Sequence, residues 1–225
     1  MTPTIQVAVC VSSREPALDD CLRALAGQIA SPLVVVAGMD DDAAGALEVD
    51  VHALVPGATV LREPLPGQAQ ARNRALAASD ADVIAFVDPD VAVAETWLRS
   101  LEDAWAQARD DVGCVGGPIG VRFPSGRPPW LTDPLLGAFG ALDYGEHRLD
   151  LDAAQRTLMG GNLSFRAAAL RGVGGFWPAR GREGARDWFS EEHHAQRELA
   201  GVGWRCVYEP GVEASRVVSP PRPRA

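Results

Sequence analysis

An α/β fold, with a mostly parallel sheet flanked by helices in a single domain, is what this sequence predicts. Short apolar runs rich in β-branched residues recur at residues 6–11, 33–36, 58–61 and 83–87, as strands buried on both faces require. Between them, residues 17–26 and 68–78 have helical character. Strand, helix, strand, helix, strand is thus the opening pattern, and it implies a parallel sheet wound by right-handed crossovers.

Each element has its own signal. The first strand, residues 6–11, stops at Ser12, Ser13 and Arg14, and residues 17–26 then place Leu18, Cys21, Leu22 and Leu25 at helical spacing. The second strand, 33–36, runs into an acidic loop at Asp40, Asp41 and Asp42. The third, 58–61, is followed by a Pro-Leu-Pro-Gly loop at 64–67, and the Ala-rich helix at 68–78 leads into the strand at 83–87. Beyond Asp90, residues 95–108 put Leu98, Leu101, Ala104, Trp105 and Ala108 on one helical face, and 113–121 reads as extended. Pro124, Pro128, Pro129 and Pro134 mark 123–149 as a surface excursion without regular elements. Order resumes at 159–166. A Gly- and Arg-rich loop at 172–186 then precedes Glu191-Glu192, a helix at 193–199 and a last strand at 204–208. The domain should span 1–218, with 219–225 a flexible tail.

Composition limits the function classes. With 225 residues, 47% hydrophobic and 23% charged, the chain can fill one core. A formal net charge of -9 argues against a nucleic-acid partner held by its phosphate backbone, and no basic run addresses an anionic membrane. Any phosphate binding must therefore be local, and that all 21 basic residues are arginine carries little mechanistic weight. Cys10, Cys21, Cys114 and Cys206 are scattered, without paired metal spacing or disulfide-like clustering. No segment approaches the ~20 apolar residues that span a bilayer, and the amino terminus has no signal-like pattern, so a cytoplasmic location is the expectation. The oligomeric state, a homo-oligomer included, is left open.

The stretch that organises the chain is 81–91. The strand must open at Asp88-Pro89-Asp90, because proline gives no ladder donor and pushes the residue before it into an extended conformation. Ligands of open α/β sheets bind at that carboxyl edge. Two carboxylates one residue apart can offer hard oxygen ligands to Mg2+ or Mn2+, which in turn grips a diphosphate. Taken alone, the triplet reads as a turn, because Asp and Pro both favour turns.

Other pieces join it in order: Ala71-Arg72-Asn73 opening a helix, Gly160-Gly161-Asn162-Leu-Ser-Phe-Arg166, and Glu191-Glu192 followed by Gly203-Trp-Arg and Tyr208-Glu-Pro210. Together with Asp88-Pro-Asp90, this set resembles an inverting, nucleotide-sugar-dependent glycosyltransferase of family 2 with the GT-A fold, over residues 7–218. The segments around Trp130, Asp143-Tyr144 and Gly174-Gly175-Phe176 look like a bacterial branch of that family.

The resemblance implies residues 1–112 as the nucleotide-binding part and 113–218 as the acceptor and catalytic part. It implies Asp90 as a ligand of Mg2+ or Mn2+, with Asp88 holding the donor's ribose or assisting the metal. Glu192 would be the general base, with Glu191 in reserve; acids also suit a helix amino terminus. Gly160, Gly161 and Asn162 would lie beneath the donor sugar and acceptor. Arg72 would sit near the nucleotide or be a solvated helix residue, and Ser12 and Ser13 would border the nucleotide or form a turn. Trp130, Trp177 and Trp188 would shape the acceptor site or pack as structure. His193 and His194 would lie near the base or in solvent.

This chain departs from the pattern twice. The family's base-reading aspartate after the second strand is replaced by Ala37-Gly38, leaving Asp40 as substitute. Its late metal-ligand histidine is replaced by Ser215-Arg216. Either a metal is held by Asp90, diphosphate and water, or Arg216 neutralises the diphosphate directly. The expected reaction moves a sugar from a nucleoside diphosphate, a UDP-sugar first, to a small-molecule, saccharide or lipid-linked acceptor. The rival readings are a sugar-nucleotide nucleotidyltransferase and a sugar-nucleotide binder that has lost turnover.

Overall fold

A computed structural model describes residues 2–29, 31–177 and 191–218. Among these, an eight-stranded sheet has the order β3-β2-β1-β4-β9-β6-β10-β8. The first half is parallel: β1 (Ile5–Val11) lies between β2 (Leu33–Ala37) and β4 (Val83–Val87), with β3 (Thr59–Glu63) at the edge. In the second half, β9 (Asn162–Arg166) runs antiparallel to both β4 and β6 (Val112–Gly116). Next, β10 (Arg205–Tyr208) is parallel to β6, and β8 (Leu149–Leu151) is antiparallel to β10. The sheet is thus mostly parallel, as expected.

Strand alternation divides the core into two layers. Val7, Val9 and Val11 of β1 face α1 (Leu18–Ala26), α2 (Asp41–Leu54) and α4 (Trp97–Ala106) through Leu22, Leu47 and Leu101. Ala8 and Cys10 face α3 (Gln68–Ala78), α5 (Ala167–Gly172) and α6 (Glu191–Gly201) through Ala75, Leu170 and Leu199. All four cysteines are buried and free, and burial pushes the Cys10 thiol up to about 12.

The structure corrects several elements. The acidic loop at 40–42 is the start of α2: Asp40 is its N-cap, accepting from Ala43 N at 2.8 Å, and Asp41 and Asp42 fill the first turn. Carboxylates there complement the unpaired N–H groups and the helix dipole, so the acids mark a helix start rather than a loop. The extended run at 113–121 breaks at Gly117-Pro118 into β6 and β7 (Ile119–Arg122). The excursion at 123–149 contains a 3-10 helix, Asp133–Phe139, and a bridge from Leu142 to Ile119. Two short strands, β5 (Val91–Val93) and β11 (Ala214–Val217), join β7 in a second sheet. Most of the Gly- and Arg-rich loop, Trp188 and the tail 219–225 lie outside the described residues.

Candidate active site

The register brings the chemistry to one edge. Val87, the last residue of β4, pairs with Asn162, the first of β9, so Asp88 and Gly161 leave the sheet side by side. A turn closed by Val91 N donating to Asp88 O at 3.0 Å leads into β5. Val91 then pairs with Arg216 of β11, and Val217 N donates to Asp90 O at 2.8 Å, which sets Arg216 against the Asp-Pro-Asp turn. Gln68 and Arg72 come from successive turns of α3, and Glu191 and Glu192 from the first turn of α6.

These side chains form one network. Asp88 Oδ1 accepts from Arg72 Nη2 and Gln68 Nε2, both at 3.1 Å, while its Oδ2 accepts from Arg216 Nη2 at 2.6 Å. Arg72 also donates from Nη1 to Glu191 Oε1 at 2.9 Å and from Nη2 to Gly160 O at 3.1 Å. Its Nη1 lies 3.5 Å from Glu192 Oε2. Gly160 N in turn donates to Glu192 Oε1 at 3.2 Å. A Cβ on Gly160 would collide with the Arg72 guanidinium and lie 3.0 Å from Glu192 Oε1, so any side chain there would force both groups to shift. A cavity of about 390 Å3 is lined by Glu15, Gln68, Arg72, Asp88, Pro89, Asp90, Glu191, Glu192 and Arg216. The Asp-Pro-Asp turn and the glutamate pair therefore face a common space.

Burial sets the electrostatics. Arg72 is almost fully buried, and although burial alone would lower its proton affinity, Asp88, Glu191 and Glu192 raise it further. Its guanidinium also lies over the Phe86 and Phe176 rings, at 5.7 and 5.5 Å. Burial pushes the Glu191 carboxyl above the ordinary range; Arg72 opposes this and Glu192 adds to it. Burial raises Asp90 as well, opposed by Arg216 and reinforced by Asp88.

The expected residues separate into those at the cavity and those elsewhere. Asp88, Asp90, Arg72, Glu191 and Glu192 line it. Arg72 is not the solvated helix arginine that was one reading; it ties the turn to the glutamates from beneath. Asn162 is fully buried, donating to Pro118 O and Val212 O and accepting from Trp97 Nε1 at 2.8 Å, so its amide braces β9 and has no free N–H for a sugar. Ser12 and Ser13 are exposed at the end of β1, where Ser13 donates to Glu15 at 2.5 Å. Asp40 sits at the same edge as a helix cap. Trp130 and Trp177 are exposed, the latter with its ring 5.4 Å from that of His194. Gln68 and Glu15 were missed by the sequence reading. Gln68 was findable, four residues before Arg72 on the same helical face.

A model described as glycosyl transferase family 2 matches residues 6–172. The chain belongs to that family. Among curated relatives of this family 2 chain is the glucosyl-dolichyl phosphate glucuronosyltransferase of Haloferax volcanii, 23% identical over 211 residues. The match covers 91% of the chain and 63% of that relative's length. Among solved structures, the mannosyltransferase PcManGT from Pyrobaculum calidifontis, in complex with GDP-Man and Mn2+, aligns with a TM-score of 0.66 at 20% identity. It covers 99% of the chain and 59% of that protein. GalNAc-T7 with UDP, GalNAc and Mn2+ aligns with a TM-score of 0.67 at 13% identity, covering 96% of the chain and 44% of that protein. The fold is GT-A, as the resemblance implied.

The ligand role expected of Asp88 for Mg2+ or Mn2+ does not fit this family 2 chain, which leaves Asp90 as the carboxylate of the expected pair that could hold such an ion. Mg2+ takes oxygen ligands in near-ideal octahedral geometry, from one or two carboxylates together with substrate phosphates and water. Both oxygens of Asp88 already accept hydrogen bonds from Arg72, Gln68 and Arg216, and the Arg216 Nε lies 3.5 Å from Asp90 Oδ1. A guanidinium thus stands between the two carboxylates. Among the described residues, no cluster of three or more His, Cys, Asp or Glu could hold a metal.

Proposed function

We propose that the chain transfers a hexosyl-type sugar from a nucleoside-diphosphate donor, a UDP-sugar first among the candidates, to an acceptor hydroxyl or amine with inversion. One observation carries this reading: Asp88 and Asp90 share a cavity with Glu191 and Glu192. Sugar transfer needs those two functions facing each other, charge control at the leaving diphosphate and a base at the acceptor.

The nucleotide would lie over the carboxyl ends of β1 and β2, where Ser12, Ser13 and Asp40 stand, with its diphosphate at the Asp-Pro-Asp turn. Residues 1–112 would bind the nucleotide, and 113–218 would supply the acceptor side and the base. Glu192 takes the acceptor proton as the acceptor atom bonds to the anomeric carbon. The bond from that carbon to the diphosphate oxygen breaks with its electron pair leaving on oxygen. The hydrogen bond from Gly160 N fixes the aim of Glu192. A second reading makes Glu191 the base, supported by its raised proton affinity and by its place on the same cavity wall.

Mn2+ in the two neighbouring structures supports a divalent cation for the fold, and Mg2+ or Mn2+ was the expectation here. Asp90 would be the residue to hold it, and no step above passes through a metal. The acceptor class is small-molecule, saccharide or lipid-linked, and the dolichyl phosphate in the relative's name supports testing the last. No helix among the described residues is long and apolar enough to cross a membrane.

The test is incubation with UDP- and GDP-hexoses and an acceptor panel, followed by NMR of the product's anomeric centre. Release of nucleoside diphosphate with an inverted glycoside is the expected result. Retention, or release of pyrophosphate by a nucleotidyltransferase, contradicts the proposal.

A further inference from the structure

We infer that Arg216 itself is the cation that receives the donor's diphosphate, so that nucleoside diphosphates bind here without a divalent metal ion. This rests on the transferase reading above.

The cavity walls carry five carboxylates, from Glu15, Asp88, Asp90, Glu191 and Glu192, against two guanidiniums, from Arg72 and Arg216. A diphosphate can enter such a space only where positive charge meets it. Arg72 cannot supply that charge: its side chain is 3% exposed and is paired with Asp88, Glu191 and Glu192. Arg216 can. It too is paired, with Asp88 at 2.6 Å and with Asp90 at 3.5 Å, but its side chain is 22% exposed, and it lines both this cavity and a neighbouring one of about 310 Å3 formed with Glu15, Ala138 and Phe139.

The position of the guanidinium is built rather than incidental. Gly140, at φ +79°, and Gly161 press on it from two elements: a Cβ on Gly140 would lie 3.0 Å from Nη1, and one on Gly161 2.9 Å from Nη2. Pairing of Arg216 with Val91 holds the backbone next to the turn. Among the described residues only Nη2 is hydrogen-bonded, to Asp88, while the buried Nε lies 3.5 Å from Asp90 Oδ1. With five N–H donors in a planar fork, the group keeps capacity for phosphate oxygens. When the anomeric bond breaks, the electron pair stays on the diphosphate oxygen, and Arg216 offsets that charge while the acceptor's proton goes to the glutamate pair.

The experiment is calorimetric titration of UDP and GDP into the full chain, once in EDTA and once in Mn2+, repeated with Arg216→Gln and Arg216→His. The wild type is expected to bind one of the nucleotides with affinities within about two-fold in the two buffers. Arg216→Gln, with its fold checked by circular dichroism, should lose roughly ten-fold or more in both, the scale of a lost charge-assisted phosphate contact. Arg216→His, which adds an imidazole beside Asp90, should bind better in Mn2+ than in EDTA. Wild-type binding that requires Mn2+ overturns the inference and leaves the transferase reading standing. Binding of neither nucleotide in either buffer overturns both.

Discussion

Gly160 N donates to Glu192 Oε1 across 3.2 Å, joining the glycine loop before β9 to the first turn of α6. The contact brings together two motifs that lie 32 residues apart in the chain. It also aims the proposed base at the space above the loop.

If Glu192 is the base, Glu192→Gln should lower kcat by about 10²- to 10⁴-fold, the usual contribution of general-base catalysis, with nucleotide affinity unchanged. Glu191→Gln should cost far less. Steady-state kinetics on both variants decide between them, and the reverse ranking would make Glu191 the base.

Arg72 is the buried centre of the network, so Arg72→Met should leave Asp88, Glu191 and Glu192 without their common partner. Removal of one side of a buried ion pair costs about 3–5 kcal/mol. Urea unfolding should show a loss of that order. A loss under about 1 kcal/mol, the range of surface pairs, would mean the network carries no such weight.

Glu191 has a folded-state proton affinity raised above the ordinary glutamate value of 4.5, chiefly by burial. Its stabilising contribution is therefore fully present below that value and is lost as pH rises through the raised one. Glu191→Gln should raise Tm at pH 8, and the gain should shrink as pH falls toward 4.5. Thermal melts across that range check the sign; a Tm lowered equally at every pH would oppose it.

Gly160→Ala places a methyl group against the Arg72 guanidinium and the Glu192 carboxylate. Displacing a catalytic group by about 1 Å can cost about 100-fold in rate. The variant should stay folded, bind nucleotide and turn over slowly; wild-type kcat would show that the loop does not set the base.

Much of this was legible in the sequence because it follows from periodicity and spacing. The buried strand at 83–87 and the helix at 68–78 carry strong local signals, and the structure reproduces both. The helix α2 was not read because its acidic cap resembles a loop when the burial of Ala44, Leu47 and Val51 is unknown. The sheet of β5, β7 and β11 was hidden for another reason: three- and four-residue strands have no period to detect, and their pairing is non-local. Asn162 shows the limit for single residues. A motif position beside the cleft does not reveal that its amide is held by Pro118, Val212 and Trp97.

The central claim is that the Asp-Pro-Asp turn and the glutamate pair serve one transfer, at the donor's diphosphate and at the acceptor, from two sides of one cavity. A crystal structure with a bound nucleoside diphosphate tests it most directly. The account predicts diphosphate density within hydrogen-bond reach of Arg216, with open space for a sugar between it and Glu192. Nucleotide bound at a different face of the sheet, with that cavity left to solvent, would contradict it.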